Sequence, residues 1–331
     1  MTHDAKDVDA ADVPRVLSVH RTRSDRVYRG VATGAGFMTF LILFLIGLFL
    51  LLKSLPAIHQ QGLHFFTTQQ WTPSDQASQS HFGVAALVWG TVVVALIALV
   101  IAIPFSIAAA LFITEFAPQR LRRPLTSVVD LLAAIPSIIY GLWFLFFLQG
   151  HVVGVSRWLS DHLGFIPIFK TDRPLFGGSM FMAGLVVALM VVPISTSVIR
   201  EVFSQAPQGE KEAALALGGT RWGMIRRVVL PFGRGGIIGG SMLGLGRALG
   251  ETIAVALVLA PNLVISPDVL ESSKGSTIAA HIALRFGDPG GAVGLSGLLA
   301  AGLILFLLTL LVNTLASLVV ARSRSGKGVE I

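Results

Sequence analysis

Six stretches of this chain are apolar over twenty residues or more: 30–55, 83–117, 124–149, 176–199, 233–262 and 292–321. About 20 apolar residues in a helix cross the hydrocarbon of a bilayer. Inside lipid, only helices and closed barrels satisfy their own backbone. Runs of this length predict an all-α integral membrane protein with six transmembrane helices. Composition agrees, with 13% charged residues against about a quarter in soluble domains. The run 83–117 is too long for one upright span and contains Pro104, so hydropathy alone leaves one kinked helix or two spans. Cysteine is absent, which excludes disulfides, thiol nucleophiles and thiolate metal sites.

Charge decides the count. Residues 1–29, 118–123, 200–234 and 322–331 together hold 18 of the 25 Lys and Arg residues, and loop 56–82 holds none. Basic loops stay cytoplasmic, so both termini are expected in the cytoplasm, with six spans between them and 83–117 as one. The pI near 10.4 therefore reports topology and not nucleic-acid binding. The 29 polar residues at the start precede a run too long for a signal-peptide core, which predicts an uncleaved first span. The expected organisation is a cytoplasmic arm 1–29, a membrane domain 30–322 and a tail 323–331. Loops 56–82, 149–175 and 263–291 fall outside, either as a docking surface or as ordinary solvated loops.

The run 233–262 contains two charges, Arg247 and Glu251. A charge near the bilayer centre costs at least ~2.5–3.5 kcal/mol on insertion scales. At 100° per residue, Gly236, Gly240, Gly244, Arg247 and Glu251 fall within about 80° of one another. Glycines at this spacing let another helix approach closely, so this face meets protein or an aqueous path. The i, i+4 spacing predicts an ion pair. Two roles stay open: a static pair that fixes helix packing, or a guanidinium that meets an anion while Glu251 limits retention. Guanidinium is always charged and donates in a planar fork, which suits a tetrahedral oxyanion. Ser137, Tyr140, Ser195 and Thr196 lie beside Pro136 and Pro193. Their hydroxyls serve either packing around the prolines or, for Ser137 and Thr196, anion donation. Asp130 is expected to pair with a basic group, and Trp89, Trp143 and Trp158 to anchor at the interface.

Between the fourth and fifth runs, "APQGEKEAALALGGTRWGMIRRVVLP" (206–231) reads as two short helices. Pro207 suits a first turn, Gly218 and Gly219 end the first helix, and Thr220 caps the second. Such a hairpin lies at an interface or inserts into a groove of another protein. Glu212-Ala213-Ala214, then Gly218, then Leu230-Pro231 resembles the EAA motif of ABC importer permeases, with Val228 where isoleucine is more usual. "RALGET" (247–252), with Thr252, "AAIPSIIYGLWFL" (133–145) and "PISTSVIREVF" (193–203) resemble the phosphate-specific members. "FFTTQQWTP" followed by "IPFSIAAALFITEFAP" is similar to PstC-type rather than PstA-type subunits. The resemblance covers the chain from about residue 28.

That resemblance implies a type I importer permease (MetI-like) fold in the bacterial cytoplasmic membrane. It implies one half of a phosphate path, shared with a PstA-like permease. Two PstB-like ATPases would bind ATP and Mg, and a PstS-like protein would deliver phosphate. Glu212, Ala213, Ala214, Gly218, Leu230 and Pro231 would belong to a coupling loop (203–231) that docks on the ATPase. Arg247, Glu251, Thr252, Ser137 and Thr196 would line the path. The chain has no G-x-x-x-x-G-K-[ST] loop, so hydrolysis is expected from a partner and no cofactor is expected here. His59 and His64 share a polar loop without carboxylate or Cys partners, so no metal site is expected. A sulfate or molybdate permease of the same architecture is the alternative, and a secondary anion transporter independent of ATP lies further off. An intramembrane enzyme would need a nucleophile–base or metal constellation that the sequence does not assemble.

Overall fold

The computed structural model describes residues 23–74 and 80–323. The rest of the expected arm and tail, residues 1–22 and 324–331, lies outside the described residues. The chain divides into two units at Phe49/Leu50. In the first, the described part is helix (residues 23–49 of α1, Arg23–Gln61) with no buried residue.

The larger unit continues α1 and adds α2 (His64–Thr67) and a two-stranded hairpin, β1 (Trp71–Thr72) with β2 (His81–Phe82). Trp71 pairs with Phe82 in the antiparallel register. Then come α3 (Ala85–Phe116), α4 (Gln119–Ala134), α5 (Ser137–Leu163) and α6 (Met180–Ser204). The hairpin helices are α7 (Gln208–Ala216) and α8 (Arg221–Phe232), followed by α9 (Arg234–Gly250), α10 (Ile253–Val258), α11 (Ile278–Arg285) and α12 (Gly291–Ser323). Among the described residues five helices, α1, α3, α5, α6 and α12, are long and apolar enough to cross a membrane; the bent pair α8–α9 makes six if taken as one span.

Two of the expected runs are corrected. The third span is not 124–149 but α5, displaced toward the C-terminus and reaching Leu163. Pro136 disfavours helix in the residue before it, and Ile135 is extended at φ −65°, ψ 130°. The helix therefore stops there, leaving α4 as a separate helix that carries Arg120, Arg122, Arg123 and Asp130. Much of the expected loop 149–175 is helical as a result. The fifth run, 233–262, is not continuous either. It bends by 65° from α8 at its start and stops at Gly250, because Glu251 is extended (φ −68°, ψ 126°). The 83–117 run is one helix through Pro104, as charge alternation requires.

The core lies between α3 and α6. Ala95, Ala98 and Ala102 of α3 and Ala183, Val187 and Val191 of α6 are all almost fully buried. At Gly184 a Cβ would come within 2.4 Å of the Ile97 side chain, so the glycine is what permits this approach. Ser106 donates to the carbonyls of Ala102 (2.8 Å) and Val192 (3.1 Å), tying the helices next to Pro193. The glycine stripe of α9 meets α6 as expected: added Cβ atoms at Gly236, Gly240 and Gly244 would strike Val202, Ile199 and Val191 at 2.6, 2.9 and 2.6 Å. Ser195 closes this interface by donating to the Gly240 carbonyl at 2.9 Å. On the other side of the unit, Ser296 of α12 accepts from the Ala57 amide (3.1 Å) and donates to the Lys53 carbonyl (2.9 Å).

Candidate anion path and coupling hairpin

Arg247 sits in the last turn of α9, where the unpaired carbonyls of a helix end favour a cation. The expected ion pair with Glu251 is not formed. Among the described residues the ion pairs within 4.0 Å are Arg200–Asp130, Lys211–Glu115 and those of Lys274, and none includes Arg247. The reason is the break in the helix. An i, i+4 contact needs helical backbone through Glu251, and that residue has already left the helix. The Glu251 carboxylate is buried, 8% exposed, and turns forward to accept from the Ala254 amide at 3.4 Å. Thr252 lies at φ −114°, ψ −66° and donates to the Gly250 carbonyl at 3.0 Å.

Arg247 is half-buried, and its Nε is fully buried without a hydrogen-bond partner. Opposite stands α5. Gly141 packs on α10, where an added Cβ would lie 3.0 Å from Ala254 Cα, and the Tyr140 hydroxyl lies within electrostatic range of the Arg247 guanidinium. Tyr140 donates to the Leu132 carbonyl at 2.9 Å, across the Ile135–Pro136 break. Two interrupted helices thus meet around Arg247. Irregular backbone at membrane depth is tolerated where it is buried in protein or lines a water-filled cavity. Ser137 is half-buried in the first turn of α5, and Thr196 is 1% exposed with its hydroxyl unpartnered. Neither hydroxyl hydrogen-bonds Arg247 among the described residues. Asp130 finds the basic partner expected of it: Arg200 Nη2 lies 3.8 Å away, and Ser197 donates to the same carboxylate at 3.1 Å.

The 207–232 hairpin forms as its residues dictate. Gly218 takes φ +81°, a conformation that a Cβ opposes. Thr220 Oγ1 accepts from the Gly223 amide at 3.1 Å as an N-cap. Pro207 stands one residue earlier than expected, at the N-cap of α7. Glu212, Ala213 and Pro231 are exposed, Ala214 and Leu230 half-buried, and Leu217 and Trp222 are 90% and 60% exposed. Lys211 fastens the hairpin to the end of α3 through Glu115 at 2.7 Å.

The sequence reading missed a charged cluster that joins the segment after α10 to the loop before α6. Glu271 accepts from Lys274 (3.0 Å) and from the amides of Asp172 (3.2 Å) and Arg173 (3.3 Å). Asp268 accepts from the amides of Leu270 and Glu271, and from Lys274 at 3.4 Å. The only sequence signal is the three-residue spacing Asp268, Glu271, Lys274. Burial works against the Glu271 charge, but Lys274 and the two amides outweigh it and hold the carboxyl below its ordinary range. For Asp268 burial wins and raises the pKa against the same kinds of donors. A lowered carboxylate contributes stability above its ordinary pKa and loses it as pH falls through the lowered value. Glu271→Gln is therefore expected to lower Tm most at neutral pH, with the gap to wild type closing on acidification below the ordinary glutamate range. Thermal unfolding at several pH values in detergent checks this, and a gap independent of pH would count against it. Burial and the nearby Arg285 hold His281 neutral, with a pKa of about 4, where its ring meets Trp71 edge-on at 4.7 Å.

Comparison with known proteins identifies the family. Residues 102–325 match the family described as binding-protein-dependent transport system inner membrane component. The chain is 41% identical over 297 residues to the phosphate transport system permease protein PstC 2 of Mycobacterium tuberculosis, covering 89% of this chain and 91% of that one. The chain belongs to this permease family, among its PstC members. A phosphate transport system permease protein PstC of Xylella fastidiosa is 40% identical over 309 residues, 92% of the permease and 93% of the relative. In fold the permease is similar to a chain of a bacterial ABC transporter involved in the import of the acidic polysaccharide alginate. The TM-score is 0.56 at 22% identity, over 90% of the permease and 97% of that chain. It is a multi-pass membrane protein.

Proposed function

We propose that the permease forms one half of the translocation path of an ATP-driven phosphate importer, without catalysing a reaction itself. The observation that carries this reading is the Arg247 guanidinium, buried at Nε and unpaired beside two helix breaks. An unpaired guanidinium in a membrane domain needs a counter-charge, and an oxyanion accepting from its fork supplies one. The names of the PstC relatives support phosphate as that anion. Glu251, accepting from the Ala254 amide, lies four residues beyond Arg247. It limits how tightly phosphate is retained, since a path must release what it binds. Ser137, Thr196 and Thr252 supply hydroxyls along the same route.

Both termini and the 207–232 hairpin lie in the cytoplasm, following the basic loops. There the exposed Glu212–Ala213 edge, the Gly218 bend and Leu230–Pro231 engage an ATPase subunit, with Leu217 and Trp222 as its apolar contacts. The complex comprises this chain, a second permease of PstA type, two ATP-binding subunits of PstB type holding ATP and Mg, and an extracytoplasmic phosphate-binding protein of PstS type. The test is uptake of labelled phosphate into vesicles bearing the full complex. Uptake should need ATP and ignore excess sulfate. Competition by sulfate would move the substrate to sulfate or molybdate, and transport by this chain alone without ATP would make it a secondary transporter.

A further inference from the structure

Away from Arg247, the ends of α3, α4 and α6 and the two hairpin helices enclose a cavity of about 460 Å³. Arg122, Arg200, Lys211 and Arg221 line it, with Glu115, Glu201 and Glu212. The formal balance is close to even, but the two signs are engaged differently. Each carboxylate already accepts within the chain: Glu115 from Lys211 (2.7 Å), Glu212 from Gln208 (3.0 Å) and Glu201 from Gln205 (3.4 Å). The guanidinium donors are far from used up. Arg122 spends only Nε, on the Ala117 carbonyl at 3.1 Å. The Arg221 side chain makes no hydrogen bond among the described residues, and its guanidinium lies over the Phe116 ring at 5.9 Å. Arg200 spends Nη1 on Thr126 (2.7 Å) and holds Nη2 3.8 Å from Asp130, while its buried Nε has no partner.

We propose that this cavity binds a phosphate group through Arg122, Arg200 and Arg221. Planar guanidinium forks from α4, α6 and α8 match the several oxygens of a phosphate mono- or diester, and the cavity has room for a headgroup larger than the bare ion. Two sources present this chemistry: an anionic lipid headgroup and free inorganic phosphate. Exposed Leu121, Val128 and Leu131 on α4 give the lipid an apolar surface on the same helix. Because Lys211 and Arg221 belong to the hairpin, an occupant bridges the hairpin to the helix bundle and so bears on coupling. The sidedness assumed here rests on the proposed import function; the chemistry of the cavity does not.

The experiment uses the complete purified complex, wild type and Arg122→Gln/Arg221→Gln. Both residues are exposed, so the substitutions leave the core untouched. In the lipid arm, native mass spectrometry counts phosphatidylglycerol retained from an equal mixture with phosphatidylcholine. In the other arm, inorganic phosphate is titrated and the shift in Tm followed. Wild type is expected to select phosphatidylglycerol or to gain Tm from phosphate, and the double variant to lose that preference about fivefold for each guanidinium removed. Arg122→Lys/Arg221→Lys, which keeps charge but loses the fork, should fall between. Equal retention and equal Tm shifts in wild type and double variant would overturn the proposal. So would a phosphate shift that survives the double variant and disappears in Arg247→Gln, with no lipid preference. Loss of the ATPase subunits from the double variant would assign the guanidinium groups to the partner protein and also overturn it. Failure of the import function would instead show as wild-type complex that takes up no labelled phosphate, a result separate from the lipid count.

Discussion

Arg247→Gln is expected to reduce ATP-driven phosphate uptake by the full complex by on the order of a hundredfold, while assembly and Tm stay close to wild type. Charge-assisted hydrogen bonds to an anion are worth up to about 3 kcal/mol, which corresponds to about that factor in rate. Stability should be spared because no hydrogen bond or ion pair of this side chain is formed among the described residues. That combination separates the path reading from a packing role. A guanidinium that held helices together would cost stability when removed and would spare the transport rate of the protein that still folds. Normal uptake by the variant would remove Arg247 from the path. Glu251→Gln is expected to be milder, since its 3.4 Å cap contact to Ala254 is within reach of a glutamine oxygen.

The second large effect concerns α9 on α6. Gly244→Val is expected to lower Tm or abolish assembly, because its Cβ alone would lie 2.6 Å from a Val191 methyl and 2.9 Å from Ser195 Oγ. Ser195 cannot move aside without breaking its bond to the Gly240 carbonyl. Overpacking a tight core typically costs ~1–3 kcal/mol, and the two branches of valine add to the clash. Gly239→Val is the control: it carries the same change in helix propensity, yet a Cβ there has nothing within 4 Å. Thermal unfolding of the two variants side by side decides it. Equal Tm values would mean that the glycine face is not held as described.

Legibility in the sequence followed the physics of each element. The apolar runs, the hairpin and the glycine face were readable because each depends on neighbouring residues: hydropathy over twenty positions, Gly218 and Thr220 at a turn, four-residue spacing along one helix. The break at Glu251 was not readable. "ETIAVALVLAP" is free of internal proline, and the one local mark, Gly250 just before it, is the same residue type that α9 carries inside its helix at Gly236, Gly240 and Gly244. The same blindness produced the false ion pair, which assumed helix through residue 251. The shift of the third span was within reach, since Pro136 restricts Ile135, but the long apolar run outweighed it. The Glu271 cluster was out of reach because its partners are 98 and 99 residues away in sequence.

The three seats of α6 side chains in the α9 glycine face, at Gly236, Gly240 and Gly244, recur every four residues. At 1.5 Å of rise per residue they lie about 6 Å apart along the axis. Notches at a fixed pitch make a rack. Partial sliding drives a valine or isoleucine onto helix backbone between notches, and a shift of one full pitch sets an end side chain against Phe232 or Ala248, where there is no notch. The contact therefore resists sliding in either direction, and the helix carrying Arg247 has a single station on its neighbour.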